Sequence, residues 1–209
     1  MKRIHVPIII GIAVCGWFAV ITQWVLMANN RTTNLGETLI RFFCFFTILS
    51  NVLVSSVSTG WLLHPHRRWR QWAERPGVQT AITVYILVVG LVYNSILRFL
   101  WSPVGLQWWV DECLHSLIPL LFLIHWLLFT PKTSLSYRMI PAWLVFPAIY
   151  ISLIALYGAV SGWYPYPFIN VSSIGYPRAI LHTALLLLTF TSLSALLIWI
   201  AGRIKPFNH

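Results

Sequence analysis

Residues 140–160 read IPAWLVFPAIYISLIALYGAV, a stretch without one charged side chain. A helix needs about 20 consecutive apolar residues to cross roughly 30 Å of hydrocarbon, and this stretch supplies them. Working outward from it, comparable runs lie near 7–28, 39–63, 79–101, 113–130 and 178–201. Composition agrees: of 209 residues 58% are hydrophobic and 9% charged, and the mean hydropathy is +0.77. So few charges cannot clothe a soluble surface. Backbone polar groups in lipid must be satisfied within the segment, and the runs lack the alternation of a barrel strand. The sequence therefore predicts an all-α polytopic membrane protein, a single domain over 1–209 built as a bundle of six transmembrane helices.

The net charge of +10 raises the question of nucleic acid, and the placement of the basic residues answers it. Lys2 and Arg3 precede the first span, and Arg67, Arg68, Arg70 and Arg75 separate the second from the third. Lys132 and Arg138 separate the fourth from the fifth, and Arg203 and Lys205 follow the sixth. The alternate ends and loops hold only Arg31, Arg41, Arg98 and Arg178, with the acidic Glu37, Asp111 and Glu112. The positive-inside rule then predicts a plasma (inner) membrane protein with both termini cytoplasmic. No basic stripe interleaved with exposed aromatics is present, so nucleic acid is not an expected partner. The apolar run after Lys2-Arg3 exceeds signal-peptide length and is expected to stay as the first helix. Cys15, Cys44 and Cys113 have neither metal nor disulfide spacing and read as packing residues.

Polar residues inside spans are expensive, which makes each a functional candidate until a packing role is found. With the helices oriented as above, Arg41 lies near the outer end of the second span, Thr47 about two turns deeper, and Ser50 and Asn51 a turn beyond. The third span brings Asn94 and Arg98 to the same half. The fourth opens with Asp111 and Glu112 and carries His115 one turn in; the sixth opens with Arg178 and carries His182 one turn in. Four helices thus place polar groups in one outer layer. The competing readings are arginines that snorkel to headgroups and a Thr47 hydroxyl bonded back to the Phe43 carbonyl.

Asp111 and Glu112 precede His115 by four and three residues, so either carboxylate can share its helix face and orient the ring as a base. They can equally form a surface pair at the helix N-terminus. Pro119 removes the N–H that would bond the His115 carbonyl, which predicts a kink. His5, His64, His66, His125 and His209 fall toward the cytoplasmic side and read as loop, interface or packing residues. With no paired His at helical spacing and no Cys cluster, a metal site is a weak reading.

Twelve Trp and eight Tyr lie mostly near span ends, as interfacial anchors do. Trp163-Tyr164-Pro165-Tyr166-Pro167-Phe168 is different, because two prolines hold the aromatics extended. It reads either as a cavity cap that includes Tyr164 and Tyr166 or as part of the interfacial belt. Gly158-x-x-x-Gly162 reads as a close helix contact.

Three segments in one order carry a resemblance: Phe45-Phe46-Thr47-Ile48-Leu49-Ser50-Asn51, Leu114-His115-Ser116-Leu117-Ile118-Pro119, and Gly162-Trp163-Tyr164-Pro165-Tyr166-Pro167-Phe168. Together they resemble the androgen-induced gene protein and androgen-dependent TFPI-regulating protein family, in particular a bacterial six-helix branch, over nearly the whole chain. The resemblance implies an intramembrane threonine hydrolase of fatty acid esters of hydroxy fatty acids, with Thr47 as nucleophile and His115 as base. A membrane lipid or fatty-acid ester is the expected substrate, and no metal or organic cofactor is required. From depth and charge, Asn51, Asn94 or a backbone N–H is the expected oxyanion donor and Arg41 or Arg98 the expected carboxylate binder, with Asp111, Glu112, His182, Tyr164 and Tyr166 as substrate-binding or orienting residues. The alternatives are a non-enzymatic binder or transporter of lipid or small solutes, and a structural scaffold. Oligomeric state and acyl chain length are not encoded in any motif.

Overall fold

The structure, a computed structural model, describes residues 2–63 and 68–204, with side chains from His5 onward. His64, His66, Arg67, Lys205 and His209 lie outside the described residues. The described chain is helical, without strands, and six helices are long and apolar enough to cross a membrane. It is a multi-pass membrane protein by architecture. By its own contacts the chain forms two compact units, Met1–Ser134 and Leu135–Lys205, so the six predicted spans group as four and two.

The first unit begins with α1 (Lys2–Asn29), α2 (Leu35–Phe43), α3 (Phe46–Leu63), the short α4 (Arg68–Ala73) and α5 (Pro76–Ser95). After a 3-10 turn at Leu97–Phe99, a last span is built from α6 (Leu106–Glu112), a π-helical turn (Cys113–Leu117) and α7 (Ile118–Phe129). α1 and α3 pack closely because Gly16 leaves room for Ser55, whose side chain occupies the place a Cβ would take. Down α3, Asn51 donates to the Thr47 carbonyl, Ser55 to that of Asn51 and Thr59 to that of Ser55, each at 2.8 Å. These side chains satisfy themselves on their own helix, which is how a polar stripe survives in an apolar layer.

The second unit holds α8 (Ile140–Ser161) and α9 (Val171–Ala201), with a 3-10 turn at Pro167–Ile169 between them. α8 ends at Gly162, whose φ of 71° is the left-handed cap that favours glycine. α9 starts on Asn170, whose side chain accepts from the Ser172 N–H at 3.1 Å, and it kinks at Gly175 (φ 76°), ahead of Pro177.

Several expected spans are redrawn. The third helix ends at Ser95 rather than 101, which leaves Arg98 in the 3-10 turn, and the sixth begins at Val171 rather than 178, which leaves Arg178 and His182 inside α9. The stretch read as one helix over 39–63 breaks at Cys44 and Phe45, placing Arg41 on α2 and Thr47 in the first turn of α3. Neither glycine nor proline marks the break, so an apolar pattern reads straight through it. The fourth span begins seven residues before the expected 113, at Leu106, which puts Asp111 and Glu112 inside the helix rather than at its N-terminus. The Gly158 contact also differs from expectation. The ring of Tyr164, not a helix backbone, fills the space over Gly158, and Gly162 has nothing within 4 Å of its Cβ position.

Candidate functional site

His115 owes its position to the π-helical turn, in which one residue too many is fitted into a helical turn. The Ile118 N–H bonds the Cys113 carbonyl instead of that of Leu114, and Pro119 offers no N–H to His115. Two adjacent carbonyls lose their helical partners. Asn51 Nδ2 from α3 donates to the Leu114 carbonyl (3.3 Å), and Asn94 Nδ2 from α5 donates to the His115 carbonyl (3.2 Å). Each amide also bonds a carbonyl of its own helix, that of Thr47 or Gly90, both at 2.8 Å. Both hydrogens of each amide are thereby used, and the expected oxyanion donors are instead a clamp on the turn. Leaving a buried carbonyl dry costs about 1–3 kcal/mol, so the clamp makes the bulge affordable in the core. Gly90 lets α5 come close enough, since a Cβ there would lie 3.0 Å from the His115 carbonyl and 3.2 Å from Pro119 Cβ.

The imidazole is fixed on three sides. Its Nδ1 lies 2.9 Å from the backbone carbonyl of Asp111. A carbonyl can only accept, which assigns the proton to Nδ1 and leaves the Nε2 lone pair facing outward. The Tyr93 ring stacks on it at 3.8 Å between centroids, 10° from parallel. Nε2 then faces the Thr47 hydroxyl at 3.4 Å. Thr47 and His115 are both 8% exposed, so this pair meets out of bulk water.

The orienting group is thus a backbone carbonyl, which corrects the expectation that a carboxylate holds His115. The Asp111 carboxylate turns the other way, into donors from Trp101 Nε1 (2.8 Å), Gln107 Nε2 (2.9 Å) and Tyr93 OH (3.4 Å). Glu112 pairs with Arg98, which also donates to Ser116 Oγ at 3.3 Å and lies 5.4 Å from the Tyr93 centroid. Arg41 pairs with Glu37 at 2.8 Å, one turn away on α2. Both arginines already have carboxylate partners that a substrate anion would have to displace.

His182, Tyr164 and Tyr166 belong to the second unit. His182 Nδ1 donates to the Phe168 carbonyl at 2.7 Å, Tyr164 covers Gly158, and Tyr166 stacks on Phe168 at 5.2 Å. Of the expected layer, Thr47, Asn51, Asn94, Asp111 and His115 come together within the first unit. Tyr93, Trp101 and Gln107 complete it and were missed. Tyr93 adjoins Asn94 in sequence, and that adjacency is the available signal; Trp101 reads as an interfacial anchor, and Gln107 falls between the expected third and fourth spans. Among the described residues no group of three His, Cys, Asp or Glu side chains is placed to hold a metal ion. Compared with known proteins, the chain matches no family model, no curated protein and no solved structure.

Proposed function

We propose that this chain is an intramembrane hydrolase of lipid esters, with Thr47 as nucleophile and His115 as general base. The observation that carries the reading is the locked tautomer: Nδ1 is held by the Asp111 carbonyl, so the basic Nε2 faces the Thr47 hydroxyl. A positioned base beside a hydroxyl is the arrangement nucleophilic catalysis needs, and such contacts are often long before substrate binds.

In this mechanism Nε2 takes the Thr47 proton as Oγ1 attacks the ester carbonyl. The positive end of the α3 dipole lies in the turn that carries Thr47 and favours the oxyanion. Collapse expels the alcohol, which takes the proton from His115, and an acyl-Thr47 remains. Water deprotonated by His115 then releases the fatty acid. The likeness of the three sequence segments to the androgen-induced gene protein family supports a fatty-acid ester as substrate. The basic loops support an orientation with both termini in the cytoplasm, which sets the Thr47 end toward the outer leaflet.

The test is release of fatty acid from a branched fatty-acid ester by purified protein in detergent. Thr47→Ala and His115→Ala should each abolish release, and rapid quenching of the wild type should trap an acyl adduct on Thr47. Turnover that survives both substitutions overturns the mechanism. Binding of the ester without turnover favours a lipid carrier.

A further inference from the structure

Thr47, Ser50, Asn51, Val54, Ser58 and Trp61 recur at steps of three and four and share one face of α3. Contacts fix what that face meets. Asn51 reaches Leu114, and the Trp61 ring stacks on Phe122 (6.3 Å) and on His125 (4.7 Å, 21° from parallel). The face therefore forms a seam against the π turn and α7.

Among the described residues six buried side-chain polar atoms have no hydrogen-bond partner, and five of them line this seam: Ser50 Oγ, Asn51 Oδ1, Ser58 Oγ, Trp61 Nε1 and His125 Nδ1. The sixth is Arg98 Nε. Burial alone does not explain them. Ser55, Thr59, Thr80 and Thr83 all donate to the carbonyl one turn back, which is the usual solution for a helical hydroxyl. Trp126, next to His125, gives its indole N–H to Thr80 Oγ1 at 2.9 Å. Ser50 and Ser58 do not back-bond, and His125 uses only its other nitrogen, Nε2, 3.3 Å from His5 Nε2.

We propose that water is bound in this seam as a structural ligand. It engages Ser50 and Asn51 at the Thr47 end, and Ser58, Trp61 and His125 at the other. The required ligand must both donate and accept: the indole N–H only donates and the amide oxygen only accepts. Water meets that need, whereas an acyl chain offers no hydrogen bond and an anion would meet the accepting amide oxygen of Asn51. Val54 stands between the two groups on α3, and it, Ile118 and Phe122 are buried. The water at the Thr47 end is the source of the deacylating nucleophile if the proposed function holds; the group at Trp61 stands without that reading.

Radiolytic hydroxyl-radical labelling of the detergent-solubilised protein tests this, because bound water yields radicals beside buried side chains. Trp61 and His125 should oxidise at a rate close to that of Trp72, which is 36% exposed on α4. Trp126, fully buried with its N–H satisfied, should stay protected. Ser58→Ala should lower Trp61 oxidation to the Trp126 rate, with Trp126 protection reporting intact packing. Protection of Trp61 and His125 equal to that of Trp126 in the unmodified protein overturns the proposal, as does oxidation of Trp126 at the Trp61 rate. Neither readout depends on ester turnover.

Discussion

The seam that α3 forms with the π turn and α7 carries a buried imidazole at each end, and the two are built differently. His115 has Nδ1 bonded to a backbone carbonyl, an aromatic ring on its face, and a hydroxyl opposite Nε2. His125 also lies against an aromatic ring, that of Trp61, yet its Nε2 meets a second imidazole and no hydroxyl. Burial and stacking are common to both. What separates a candidate base from a packing histidine is the carbonyl that sets the tautomer and the hydroxyl that accepts the consequence.

The comparison breaks most directly by removing each imidazole. His115→Gln should lower kcat for ester release by about 10²–10⁴-fold, the range a general base supplies, while His125→Gln leaves kcat close to wild type. Equal losses from both would mean that burial, not geometry, decides. A second substitution acts on the bulge alone. Pro119→Ala restores an N–H to the His115 carbonyl, competes with Asn94 and rotates the ring, lowering kcat by up to about 10²-fold with KM little changed. An unchanged kcat would show that the π turn is not needed.

Smaller effects sharpen the contrast through stability. Asn94→Leu leaves the His115 carbonyl dry and should cost about 1–3 kcal/mol in detergent unfolding. Gly90→Ala, with its Cβ crowding the same carbonyl, should cost a similar amount by overpacking. The smallest effect belongs to the other end. Lys132 follows α7 and caps the carbonyls of Trp126, Leu127 and Thr130 at 2.9, 3.0 and 2.7 Å, and burial brings its pKa down from 10.5 to about 8. Between those values the unfolded chain holds more protons than the folded one, so stability rises with pH across that window. Lys132→Met should flatten that rise in thermal unfolding.

Much of the fold was legible because lipid imposes a length and a composition on any helix that crosses it. Runs such as 140–160 fall within a residue or so of the observed helix. The break at Cys44 and Phe45 was not legible, since no residue there is a helix breaker. Within the site, residue type, depth in the span and the family resemblance single out Thr47 and His115, and Pro119 points to a lost backbone bond. The roles around them were misread. Spacing on a helix places a carboxylate near an imidazole, but it does not say which way the Asp111 side chain turns.

The sequence by itself determined six apolar spans and a small set of polar residues too costly to lie idle in them. The tertiary structure decided their partners. It gave the Asp111 carboxylate to Trp101, Gln107 and Tyr93, and it turned Asn51 and Asn94 toward the backbone of the π turn. The reason is physical: hydrophobicity is additive along a chain and can be read from it, whereas a hydrogen bond depends on the direction of two groups that only packing brings together.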